Sequence, residues 1–541
     1  MTKREEKPID PAALAEVRAA LSRATGKRRL DLILDQPDPA AVVRALPADD
    51  LYLTIREVGL ADAVELVQLA SADQFRAFLD LAAWQGDHVA PRRALPWLRA
   101  ARAGSTDSPR AAARWKAKLA RLDVELVDLV LRDALRIHDL DADPDPHLQS
   151  DRFLRTPENR FIVEFDADGA EYMAVRGIVD DLYADDPFKA TRLLASLRSE
   201  LPSELEETAL RWRTGRLSDL GYPSPEEALS WFAKPAARPA PPAGTPGRPA
   251  GFFLERLGRG SLLARAAARL APEERAHLEL ELVTAANAVL VADAVDPGDL
   301  DEVRAAVEAA RALVELGLEA VAGADEARAA EALATTAVKA LFQRGFGRLL
   351  ELRWRAERLL ASGRAGTRAT PLLDPPLGEL LSALSARRPR YFPGLELPRE
   401  AWGTLAAGAF EPRPFLASAE VARTAEALGL AEGLAALGED LGLRPPAGAA
   451  GPLAPRLASL YLTALANERL GRAFAPVPIP AAELAAAARA LAPLDDPRLA
   501  RAGEAGQLLA ALARARDEEL APLRDGAAVR PEHVAALLVA P

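Results

Sequence analysis

Apolar residues recur at helical spacing through most of this chain, and Asp, Ser and Pro cut the pattern into short lengths. The segments "DPAAVVRAL" from Asp38, "LPADDLYLTI" from Leu46, "GLADAVELVQL" from Gly59 and "ASADQFRAFLDL" from Ala70 follow one another with little between them. Ala-Asp pairs at 48–49, 61–62 and 72–73 recur through them, and each Asp is expected to cap the helix that it precedes. Each helix offers an apolar stripe, such as Val64, Leu66, Val67 and Leu69. Helices of two or three turns are marginal alone and must stack on neighbours. Residues 28–104 are therefore expected to form an α-solenoid-like stack of short helices behind a flexible lead-in over 1–27.

Ala, Leu and Arg dominate the composition, and all three lose little on entering a helix. At 541 residues, the expectation is a mainly α, multi-domain protein. Ser108-Pro109 opens a further helix, with Ser at the N-cap and Pro at the first position. The stretch Leu122–Ile137 is apolar on more than one face and predicts a buried helix. Two runs flanking a Thr-Pro-Glu-Asn turn predict a small β-hairpin over 151–165, because the second alternates aromatic and β-branched residues. A helix carrying Met173, Val175, Ile178, Val179 and Leu182 is expected to cover it. Residues 105–235 thus read as a helical region holding an acidic loop and the hairpin. The run Ala236–Gly251 is rich in Pro, Ala and Gly and reads as a linker. Residues 252–541 then form a C-terminal helical domain, with breaks at 361–376, 391–398, 444–455 and 473–480.

The chain contains no cysteine, which excludes disulfides, thiolate metal sites and a cysteine nucleophile. No apolar segment follows the charged start, and uncharged runs stop at about eleven residues, as in Leu282–Ala292. That is well short of the roughly twenty that a membrane span needs. The expectation is a cytoplasmic protein without membrane insertion. A net charge of −11 argues against nucleic acid as a partner. Fourteen acidic residues and four arginines lie between Asp139 and Asp186, so this window carries nearly all of the net charge.

That window begins with the chain's densest run of metal-type ligands, "HDLDADPDPH" from His138 to His147. Asp139, Asp141 and Asp143 take the first, third and fifth positions of a calcium loop. Pro144 stands where such a loop needs Gly, and Ser150 where it needs Glu. Asp139, Asp141, Asp143 and Asp145 are left as a weak divalent-cation site, with a solvated acidic loop or a docking patch for a basic protein as the other readings. No cofactor is predicted. The echo "LRWRTGRL" at Leu210 and "LRWRAERL" at Leu352 puts Arg213 with Arg216, and Arg355 with Arg358, on one helix face each. Such pairs suit an anion or an acidic partner. Alternatively, Glu207–Arg211 and Glu351–Arg355 pair along the helix while the Trp residues pack as partly buried anchors. Gly221 is expected to end a helix, and Ser224 with Glu227 to form a capping box. Phosphate-loop, dinucleotide-binding, nucleophile-elbow and zinc-protease motifs are absent.

The stretch "DPAAVVRALPADD" and the Ala-Asp-led helices after it resemble the cytosolic N-terminal helical domain of MgtE-type magnesium transporters over residues 30–85. The resemblance implies a helical stack, and no membrane segment follows that would carry transport. Four further stretches, Glu204–Leu229, Ala286–Asp299, Leu341–Leu360 and Leu372–Leu395, make most of the chain resemble an uncharacterised bacterial family, a domain of unknown function. That resemblance implies no activity. The expected function is a non-catalytic interaction or regulatory module. The alternative is an enzyme with an inter-domain Asp/Glu/Arg pocket acting on a phosphorylated or acidic small molecule.

Overall fold

A computed structural model describes residues 24–233, 260–446, 455–525 and 533–540, with five positions between 14 and 21. Two compact units divide the chain: Met1–Val314 with Val321–Phe342, and Glu315–Ala320 with Gln343–Pro541. The expected linker Ala236–Gly251 lies outside the described residues, as does most of the lead-in. Residues on both sides of that linker belong to the first unit.

The protein is mainly α. Its short-helix stack comprises α1 (Lys27–Leu34), α2 (Pro39–Ala45), α3 (Ala48–Val58), α4 (Val64–Leu69), α5 (Ala72–Ala82) and α6 (Pro91–Arg102). A two-residue ribbon, β1 (Trp84–Gln85) with β2 (His88–Val89), separates α5 from α6. Asp38 caps α2 through the Ala41 amide at 3.1 Å. The Ala-Asp pairs do not cap. Asp49 and Asp73 sit inside the first turns of α3 and α5, where they complement the positive helix end, and Asp62 precedes α4. The α5 cap is Ser71, which accepts from the Gln74 amide while the Gln74 side chain accepts from the Ser71 amide. Gln74 also donates to the Val43 and Leu46 carbonyls at 2.8 and 2.7 Å, so one buried amide closes the start of α5 and the end of α2. Tyr52, Phe78 and Trp97 pack ring to ring in the centre, with Tyr52 stacked on Trp97 at 5.4 Å.

Helix α7 (Pro109–Arg121) carries the expected Ser108 cap. Helix α8 (Val124–Arg132) is shorter than its sequence pattern suggests, because Leu135–Asp139 forms strand β3. This strand pairs along its whole length with β5 (Phe161–Phe165), and a full antiparallel ladder outweighs one more helical turn. The hairpin of β4 (Phe153–Arg155) and β5 is present, giving a three-stranded sheet in the order β3-β5-β4. Its turn works because Asn159 takes a left-handed backbone, φ 59°, and Thr156 bonds back to Phe161. Helix α9 (Gly169–Asp185) buries Val175, Ile178 and Val179. Met173, expected to cover the hairpin, is instead 65% exposed.

Helices α10 (Pro187–Ser199), α11 (Pro202–Asp219) and α12 (Pro225–Ser230) follow. Gly221, at φ 87°, ends α11 as expected, with the Tyr222 amide returning to the Leu217 carbonyl and Gly221 to Ser218. Ser224 and Glu227 form the capping box of α12. In the second unit, Asp374 is 3% exposed and accepts from the Ala458 amide, which opens the helix Leu457–Arg469. No helix among the described residues is long and apolar enough to cross a membrane.

Candidate functional site

The acidic loop is tied down at its base rather than gathered around a centre. Asp139 ends β3 and pairs with Arg198 at 2.6 Å. Asp141 reaches Arg160 at 3.7 Å, and Asp143 accepts the Asp145 amide at 3.2 Å. Among the described residues, no group of three or more His, Asp or Glu side chains is placed to hold a metal ion, these four aspartates included. Glu164 of β5, which no motif pointed to, holds the loop. One oxygen takes the Gln149 and Ser150 amides at 2.5 Å each, and the other meets His138 Nε2 at 2.8 Å. Burial pushes this carboxyl up, but His138 and the two amides outweigh that and hold it below the usual carboxylate range.

Much of the remaining acidic window is neutralised by cations. Arg102 and Lys116 arrive from the stack side to meet Asp181 and Asp185, both at 2.6 Å, and Arg136 meets Asp166 at 3.5 Å. Asp128 on α8, 0% exposed, takes Arg132 and the Ser196 hydroxyl, joining α8 to α10.

Three of the four arginines expected to meet an anion or a partner are engaged inside the fold. Arg216 forks onto the Asp80 carboxylate at 2.7 and 2.8 Å and reaches Asp123 at 2.7 Å. Burial works against the Arg216 charge, but the two aspartates outweigh it and raise its pKa. Arg213 donates to the Asp80 backbone carbonyl at 2.8 Å and lies 4.9 Å over the Trp84 ring. In the second unit, Arg355 forks onto Glu432 at 2.9 and 3.1 Å, not onto Glu351 as one reading of the spacing has it. Glu207 and Arg211 do pair, at 3.3 Å. Arg358 is exposed and forms no ion pair among the described residues.

The two echoed segments agree in one further respect. Trp212 is 56% and Trp354 47% exposed, so neither is the partly buried anchor that the pattern suggests. Each helix also carries an arginine fixed by a carboxylate, at different places in the echo: Arg216, four residues after Trp212, and Arg355, next in sequence to Trp354.

Two of the cavities among the described residues lie within the first unit. One, about 40 Å³, is lined by Tyr52, Tyr222, Asp49 and Asn287 among apolar side chains, and has room for water only. The other, about 550 Å³, opens between the start of α7 and the end of α9. Ser105, Thr106, Asp107, Lys116, Asp181 and Asp185 surround it above the Trp115 and Leu119 side chains. Asp181 is fixed by Arg102 and by the Trp115 indole N–H at 2.8 Å. Gly177 makes this possible: a Cβ there would fall 2.3 Å from the Arg102 guanidinium carbon.

The model of a family of unknown function, DUF6178, matches residues 6–539. The chain belongs to this family. No curated protein and no solved structure matches the chain. The likeness of residues 30–85 to MgtE-type transporters therefore gains no support, and membership brings no activity with it.

Proposed function

We propose that this family member is a cytoplasmic, non-catalytic interaction module whose echoed helical segments each present a tryptophan to a protein partner. The observation that carries this reading is the exposure of Trp212 and Trp354, on helices that also carry Arg216 and Arg355, both held by carboxylates. Tryptophan is enriched at the energetic centres of interfaces, where its large ring is desolvated. A ring on a helix whose neighbours are already immobilised has less freedom to lose on docking. Asp143, Asp145, Asp151 and Glu171 are exposed, pair with no cation among the described residues, and support a basic character for the partner. An enzyme acting on acidic substrates would need free arginines, and three of the four candidates are occupied.

The test is affinity capture with quantitative mass spectrometry, comparing the wild type with Trp212→Ala and Trp354→Ala proteins of matched thermal stability. Recovery of a specific protein should fall about tenfold or more with at least one variant, as for a hot-spot residue. Identical recovery from all three proteins would contradict the reading.

A further inference from the structure

The geometry points to the 550 Å³ cavity between α7 and α9 as a binding site for an aliphatic ammonium group, a chain of methylenes ending in a protonated amine. Its volume falls in the range of small-ligand pockets, roughly 300–1,000 Å³. The lining carries three carboxylates, Asp107, Asp181 and Asp185; Lys116 pairs with Asp185 and Arg102 with Asp181, which leaves a surplus of one negative charge.

The acceptors are also underused. Asp181 spends one oxygen on both Arg102 and Trp115, and Oδ1 has no partner among the described residues. Asp185 spends only Oδ1, on the Lys116 ammonium at 2.6 Å. Among the described residues, nothing donates to the Asp107 carboxylate, and the Ser105 and Thr106 hydroxyls meet no acceptor. An ammonium brings three donors and no acceptor, which matches such a surplus. Below the polar rim, Ala112, Trp115, Leu119 and Ala184 provide apolar surface for the methylene chain. Lys116 already demonstrates the chemistry. Its side chain is 58% exposed, so it can swing into water and leave Asp185 to an incoming ammonium. Asp181 is a fixed wall of the site, held by Arg102 packed flat on Gly177. This inference does not depend on the tryptophan surface proposed above.

Such an ammonium comes either from a free polyamine or from a lysine side chain of a peptide. Calorimetric titration of the full chain with cadaverine, with a lysine-bearing tetrapeptide and with hexanol separates these sources. At least one amine should bind, while hexanol, which has the chain without the charge, should not. The double variant Asp107→Asn with Asp185→Asn should weaken amine binding by about tenfold or more. Lys116→Met removes the internal competitor and should tighten amine binding several-fold, a gain that misfolding does not mimic. Binding of neither amine, equal binding of hexanol, or affinities unchanged in both variants would overturn the assignment.

Discussion

Arg216 lays its Nε and Nη2 on the two carboxylate oxygens of Asp80, 136 residues away in sequence, at 2.7 and 2.8 Å. Asp80 is 0% exposed, so α11 is fastened to α5 by a buried fork. Asp123 approaches the same guanidinium from the start of α8. Removing one partner strands the other charge out of water, which costs far more than the net value of the pair. Arg216→Met should therefore lower unfolding free energy by roughly 3–5 kcal/mol. Asp80→Asn with Arg216→Met together should cost less than the sum of the single changes. Urea denaturation of the three proteins checks this, and strict additivity would mean that the fork carries no coupling.

The spacing of Arg213 and Arg216 was legible, and it does put both on one helix face. What they face was not, because Asp80 lies on a separate helix and no local pattern announces a long-range partner. The hairpin was legible from its turn chemistry, whereas β3 was hidden. Leu135, Arg136 and Ile137 continue an apolar helical pattern, and only pairing with Phe161–Phe165 turns them into a strand. The Asp73 cap failed for a similar reason: Ser71 and Gln74 compete for the same helix start and win, since Gln74 serves two helices at once. Nothing in "LRWR" tells an exposed Trp from a buried one.

Lys118 is 1% exposed and donates to the Gln68 carbonyl at 2.9 Å without a carboxylate partner. Burial, with help from Arg114 and Arg44, pushes its pKa down from 10.5 to about 8. The unfolded chain thus holds this proton more tightly, and stability should rise with pH between about 8 and 10.5. Lys118→Met should flatten that rise. At neutral pH it should add roughly 1–2 kcal/mol, the relieved charge burial less one lost hydrogen bond. Thermal melts across this pH range provide the check, and parallel curves for the two proteins would show that the lysine is solvated.

Gly177→Ala should displace the Arg102 guanidinium, since the new Cβ would meet it at 2.3 Å. Overpacking of this kind costs roughly 1–3 kcal/mol, and the Arg102–Asp181–Trp115 cluster should loosen with it. Trp115 fluorescence reports the second effect in a protein whose other tryptophans are replaced by Phe. A stability loss without any change at Trp115 would place the strain elsewhere.

The role of Trp212 and Trp354 as contact residues is tested most directly by photo-crosslinking in the native cell, with a benzophenone amino acid at either position. Glu331, exposed on the separate helix Glu326–Thr335, serves as the control position. The account predicts discrete crosslinked species from at least one tryptophan position, each containing one second protein and absent from the control. Crosslinking at both positions no stronger than at Glu331 would contradict it.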